Sequence, residues 1–160
     1  YVDSKKLKYS LLFVSDTVYW SELRPEEAGR VVVCSHTKGH SSFLTLTPKG
    51  FNCRTRVHEY GGASFFVHKK HIYFSNFSDQ RMYCHKAAVG SVPLAITTAN
   101  KKWRYADAEM TNNGFIVCVR EDHEALERGD AHEAENTIAS INPETQEQFV
   151  LVSKILKIFF

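Results

Sequence analysis

The sequence predicts an all-β fold, a β-propeller fragment of about three four-stranded antiparallel blades. Three observations predict it. Short runs rich in valine, isoleucine, tyrosine and phenylalanine alternate with turn residues along the chain. The runs fall into groups of four. The groups recur: Trp20, Phe74 and Val117 hold matching second-strand places, 54 and 43 residues apart. Four strands at a period of about 40–50 residues is the pattern of propeller blades. A twelve-strand β-sandwich is the competing arrangement.

The first group begins with Leu11-Leu12-Phe13-Val14, turns at Ser15-Asp16-Thr17 and continues through Val18-Tyr19-Trp20. A polar loop is expected over 21–29, then a strand over 30–34, a turn at Lys38-Gly39-His40 and a strand over 43–47. The second group has strands over 63–67, 71–74, 81–84 and 93–97, with Lys69-Lys70 as its first turn. The third has 106–110, the turn Asn112-Asn113-Gly114, then 115–119, 136–141 and 149–152. The blades are thus expected over 10–48, 62–98 and 105–153, with an atypical tail over 154–160.

The stretch Arg54-Thr55-Arg56-Val57-His58-Glu59-Tyr60-Gly61-Gly62 carries too much charge for a strand core, since a buried unpaired charge costs several kcal/mol. It reads as a loop whose glycine pair turns the backbone into the second group. Trp103-Arg104-Tyr105-Ala106-Asp107 reads as a similar join before the third. In an antiparallel meander, alternate connections share a face. The short turns fall on one face, and the long charged connections 21–29, 49–62, 75–80, 98–105 and 121–135 on the other. Loops on a rigid scaffold are where function concentrates.

The chain has 160 residues, 43% hydrophobic and 24% charged, with a net charge of +2. That is an ordinary globular composition for one domain. The balance argues against nucleic acid or an anionic membrane as partner. No run of about 18 apolar residues exists. The first residues lack an initiator methionine and a signal-peptide pattern, which suggests a fragment or a processed start. Cys34, Cys53, Cys84 and Cys118 form no C-x-x-C pair, and three lie in apolar runs. They read as reduced packing cysteines of a cytoplasmic protein, with a disulfide framework as the alternative.

Five motifs then carry a resemblance. The 54–62 stretch resembles the R-T-R-V-H-E-Y-G-G motif in the propeller of the prolyl oligopeptidase family, in its acylaminoacyl-peptidase and dipeptidyl peptidase branch. Residues 72–81 resemble that branch's Y-F-S-N-F-x-D-Q-R segment. Arg104-Tyr105-Ala106-Asp107 and Val119-Arg120-Glu121-Asp122-His123 match its R-Y-A-D and V-R-E-D-H segments, and residues 23–30 resemble its first-blade S-R-P-E-E-G-G-R loop. The resemblance implies a seven-bladed propeller joined to an α/β-hydrolase catalytic domain with a Ser-Asp-His triad. This chain holds about three blades and no G-x-S-x-G nucleophile elbow. The family continues into a further blade after Ser153, whereas Lys154-Ile155-Leu156-Lys157-Ile158-Phe159-Phe160 departs from that pattern. The expected role is a non-catalytic propeller part that gates and positions peptide substrates for the hydrolase domain. A stand-alone propeller interaction module is the alternative.

The residues themselves supply no triad. Ser35 and His36 are strand neighbours that point to opposite faces. His58-Glu59 begins like H-E-x-x-H, but Gly62 stands in the place of the second histidine. His123, Glu124, Asp130, His132 and Glu133 share a loop without fixed ligand spacing, so no metal and no cofactor are expected. Lys101-Lys102-Trp103-Arg104-Tyr105 mixes cations with aromatics but has no basic surround. Arg54, Arg56, His58, Glu59, Tyr60, Arg104, Asp107, Arg120 and Glu121 remain as a network that either locks blades together or faces peptide. Three blades do not close a ring, so the outer faces of the end blades are expected to be bare and the isolated chain marginally stable.

Overall fold

Runs of β-branched and aromatic residues pair with their sequence neighbours into three four-stranded antiparallel sheets. The structure, a computed structural model, describes residues 8–59 and 61–153. Sheet 1 comprises β1 (Lys8–Val14), β2 (Thr17–Arg24), β3 (Arg30–Thr37) and β4 (Leu44–Thr45). Sheet 2 comprises β5 (Phe65–His68), β6 (His71–Ser75), β7 (Met82–Lys86) and β8 (Leu94–Ala95). Sheet 3 comprises β9 (Trp103–Met110), β10 (Ile116–Asp122), β11 (Glu135–Ile141) and β12 (Gln148–Val152). The expected all-β, three-blade architecture is what the chain forms. The tail 154–160 and Tyr60 lie outside the described residues.

The sheets meet through their first strands, β5 touching β1 on one side and β9 on the other. Two apolar seams hold them. Tyr19, Val33 and Leu46 of sheet 1 pack with Cys53, Phe65, Ile72 and Phe74. On the opposite side of sheet 2, Phe66, Met82 and Ile96 pack with Tyr105, Ile116, Cys118, Ala139 and Ile141 of sheet 3. This two-sided burial needs apolar residues at successive strand positions, as in Phe65-Phe66 and Ile72-Tyr73-Phe74, because neighbours along a strand point to opposite faces. Full burial of one such side chain stabilises by about 1.5–3 kcal/mol.

The blade repeat extends to single bonds. Thr47 Oγ1 accepts the Val33 amide at 2.8 Å, and Thr97 Oγ1 accepts the Met82 amide at 3.0 Å. In both sheets a buried threonine thus replaces the backbone where the short fourth strand ends. Pro93 lacks an amide hydrogen, and β8 keeps only two of the residues expected over 93–97.

Three expectations are corrected. β2 runs on through Ser21–Arg24, where a loop was expected, because β3 pairs with it throughout and Glu22 is satisfied there. Its carboxylate accepts Trp20 Nε1 and Arg24 Nε, each at 3.4 Å. β9 begins at Trp103, so the 103–107 segment is a strand rather than a join; its charge is balanced across the ladder, Arg104 opposite Glu121. The connection 121–135 holds a short helix, α1 (Glu124–Arg128), closed by Gly129 at φ 80°.

The outer side of sheet 1 is only partly bare. Leu11 and Phe13 are 57% and 72% exposed, yet Trp20, Val32 and Cys34 on the same side are buried. Arg24 crosses that side to Thr45 Oγ1 at 2.6 Å, and the Phe43 ring packs at a tilt against Trp20 at 5.7 Å. Among the described residues no helix is long and apolar enough to cross a membrane. All four cysteines are free thiols, and burial pushes Cys53 and Cys118 up to about 12.

Candidate functional site

The charged stretch ahead of β5 is a loop, as its composition requires. Its start nevertheless alternates like a strand: Cys53, Thr55 and Val57 are buried, while Arg54 and Arg56 are exposed. The chain then turns through His58 and Glu59, both in the left-handed region at φ 54° and 65°. Such conformations cost on the order of 1–3 kcal/mol each at non-glycine residues and persist only where surroundings enforce them. Here Glu59 N donates to Arg56 O at 3.0 Å and Gly61 N to Val57 O at 2.9 Å. The Arg56 amide donates to Gln80 Oε1 at 2.9 Å and the His58 amide to Glu121 Oε1 at 3.0 Å.

Glu121 is the hub. Its side chain is 5% exposed, and a carboxylate so placed needs several donors. Besides the His58 amide it faces His123 Nε2 at 2.7 Å, Arg104 Nη1 at 3.5 Å and His58 Nδ1 at 3.3 Å. Arg104 extends outward from the hub. The same nitrogen donates to Arg56 O at 2.9 Å and to Glu59 Oε1 at 2.5 Å. That hydrogen bond holds the Glu59 carboxyl below its ordinary range. Arg56 Nη2 lies 3.8 Å from the other Glu59 oxygen. Arg56 and Glu59 are the open end of the network, with side chains 48% and 68% exposed.

Asp107 makes a second contact across the same seam. Its carboxylate accepts the Ala63 amide at 2.8 Å, and its own amide donates to Ala63 O at 2.9 Å. This explains Gly62. A Cβ there would lie 2.8 Å from Asp107 Oδ2 and 3.0 Å from Ala106 Cβ. Gly61 is needed for its dihedral, at φ 92°, whereas Gly62 is needed for space.

The structure therefore brings together Arg56, His58, Glu59, Arg104 and Glu121, with Asp107 beside them. Arg54 and Arg120 stand apart. Arg54 lies over the Phe77 ring at 5.0 Å and lines a cavity of about 160 Å³ between sheets 1 and 2, with Ser10, Ser21, Thr55 and Ser64. Arg120 points to the other side of β10 from Glu121 and stacks on Trp103 at 4.3 Å. Tyr60 lies outside the described residues.

Several partners were not singled out from the sequence. Gln80 holds the Arg56 amide, and Ser75 Oγ donates to Tyr105 O at 2.8 Å across the seam. Both lie in the 72–81 segment, so a motif was visible but not its contacts. His123, considered for a metal loop, bonds Glu121 instead. Among the described residues no group of three or more His, Cys, Asp or Glu side chains is placed to hold a metal ion. Ser35 and His36 do not meet in a triad: Ser35 is buried, and the His36 ring bonds His40 O at 3.0 Å. The arrangement offers paired charges for binding.

No protein-family model and no curated protein matches the chain. Solved structures do. A puromycin-hydrolyzing peptidase of Mycobacterium tuberculosis superposes with a TM-score of 0.78 at 29% identity over 91% of this chain. Puromycin hydrolase superposes at 0.79 with 23% identity over 92%. The chain spans 24% of the length of each of these structures. The three four-stranded sheets of this chain thus match a three-blade portion of these peptidase structures.

Proposed function

We propose that this propeller part gates and positions peptide substrates for an α/β-hydrolase domain of the same protein. The observation that carries the reading is the open end of the seam network. Arg56 and Glu59 present a cation and an anion to solvent, while Arg104 and Glu121 hold them rigidly from below. Preset charges on a fixed scaffold suit peptide termini and carbonyls. The blade limits 10–48, 62–98 and 105–153 and a cytoplasmic location, favoured by four free thiols, belong to the same proposal. The other reading, a stand-alone interaction module, would use the exposed Leu11 and Phe13.

The test is Arg56→Ala in the whole protein with its hydrolase domain. Contact with substrate predicts a fall in kcat/KM corresponding to about 1.5–3 kcal/mol with an unchanged melting temperature. A lower melting temperature with unchanged kinetics would assign Arg56 to blade locking alone. The 160-residue chain by itself should not hydrolyse acyl-peptide or dipeptidyl chromogenic substrates, since it carries no nucleophile elbow.

A further inference from the structure

Arg120 differs from the other partly buried arginines. Arg24 and Arg30 pair with Glu27, and Arg104 pairs with Glu59 and Glu121. Arg81 donates twice to Thr97 O. Arg120 is only 7% exposed, yet no carboxylate among the described residues pairs with it and its buried Nε meets no acceptor.

Among the described residues no carboxylate lies within ion-pair distance of it. Across the ladder stand Tyr105, 1% exposed, and Thr137, 2% exposed. Burial raises the Tyr105 hydroxyl to about 12, so it stays neutral. The nearby Asp122 carboxylate is taken by Trp103 Nε1 at 2.7 Å and by the Glu124 amide at 2.8 Å. What remains is the Trp103 face. A cation over an aromatic ring is worth about 0.5–2 kcal/mol, less than the several kcal/mol that burying an unpaired ion costs. The imbalance is largest for the free chain and is relieved by an anion at the guanidinium.

Arg120 lies two residues before the end of β10, at the end that carries Glu121 but on the opposite side of the strand from it. Its planar fork, braced against an indole, matches a planar carboxylate in a bidentate pair. We propose that Arg120 is a binding residue for the free C-terminal carboxylate of a short peptide, with Trp103 as its stacking wall. This rests on the reading of the propeller part as peptide-handling, and it adds which peptide group is recognised.

The experiment titrates the 160-residue chain with an N-acetylated dialanine acid and with its C-terminal amide. Calorimetry reads affinity, and the NMR signal of the Trp103 indole N–H reads the site. The expected result is saturable binding of the acid with a shift of that signal, and binding of the amide weaker by about tenfold or more. Arg120→Met should abolish the difference, and Arg120→Lys should retain part of it. Equal binding of acid and amide, or no binding of either, overturns the assignment even if Arg120→Met does not fold. So does undiminished acid binding by a folded Arg120→Met. None of these results bears on the Arg56→Ala kinetics, so the peptide-gating reading stands or falls separately.

Discussion

The two seams between the sheets are built from different chemistry. The seam between sheets 1 and 2 is closed by aromatic rings and neutral amides. Phe74 and Tyr83 stack and Phe51 meets both edge to face, with centroids 5.1–5.9 Å apart. Around them the Asn52 carbonyl accepts the Phe77 amide at 2.9 Å, its side chain accepts the Val31 amide at 3.0 Å, and its own amide donates to Asn76 Oδ1 at 3.0 Å. The seam between sheets 2 and 3 has an apolar floor of its own, but its end is closed by Arg104, Glu59, Glu121 and Asp107. A neutral seam depends on shape. A charged one depends on every partner being present, because removing one leaves another buried and unpaired.

The largest effect should come from the neutral seam. Phe74→Ala empties a fully buried position shared by three rings and should cost about 3–5 kcal/mol in a urea titration. A loss below about 1 kcal/mol would mean that the seam collapses around the gap and that packing there is loose.

The charged seam is tested through its tightest approach. Gly62→Ala should push Asp107 off the Ala63 amide and cost about 1–3 kcal/mol. The cost should shrink in an Asp107→Ala background, since the clash and the lost bond involve the same carboxylate. Full additivity of the two changes would refute the steric account of Gly62.

The smallest effect is a difference in acid response, and it reverses the intuition that the charged seam is the pH-sensitive one. His85 is buried beside Phe74 in the neutral seam, its ring 5.7 Å away. Burial holds its pKa below the ordinary 6.5. Below about pH 6.5 the unfolded chain takes up a proton that the folded chain resists, so stability is full above that pH and falls beneath it. Glu59 in the charged seam is shifted downward by Arg104, so its contribution persists to lower pH and is lost only as pH falls through the carboxylate range. His85→Leu should flatten the stability profile just below about pH 6.5 and leave the limb in the carboxylate range unchanged. An unchanged slope would show that His85 titrates alike in both states.

The sequence by itself determined the three four-stranded groups, because alternation and turn residues are local signals. It also determined that 54–62 is a loop, since its charges exceed what a strand core can neutralise, and the motifs carried a family resemblance. It determined the wrong edges where charge was balanced across a ladder: Glu22 and Arg104 look like loop residues until Arg24 and Glu121 are seen beside them. Only the tertiary structure decided which charges meet. Arg120 and Glu121 are chain neighbours of opposite sign, yet the pleat sends them to opposite sides of β10. Glu121 there finds four nitrogens, among them His58, 63 residues earlier in the chain, whereas Arg120 finds an indole face and no carboxylate among the described residues. Partnership across such distances is fixed by how the sheets stack, and no spacing along the chain encodes it.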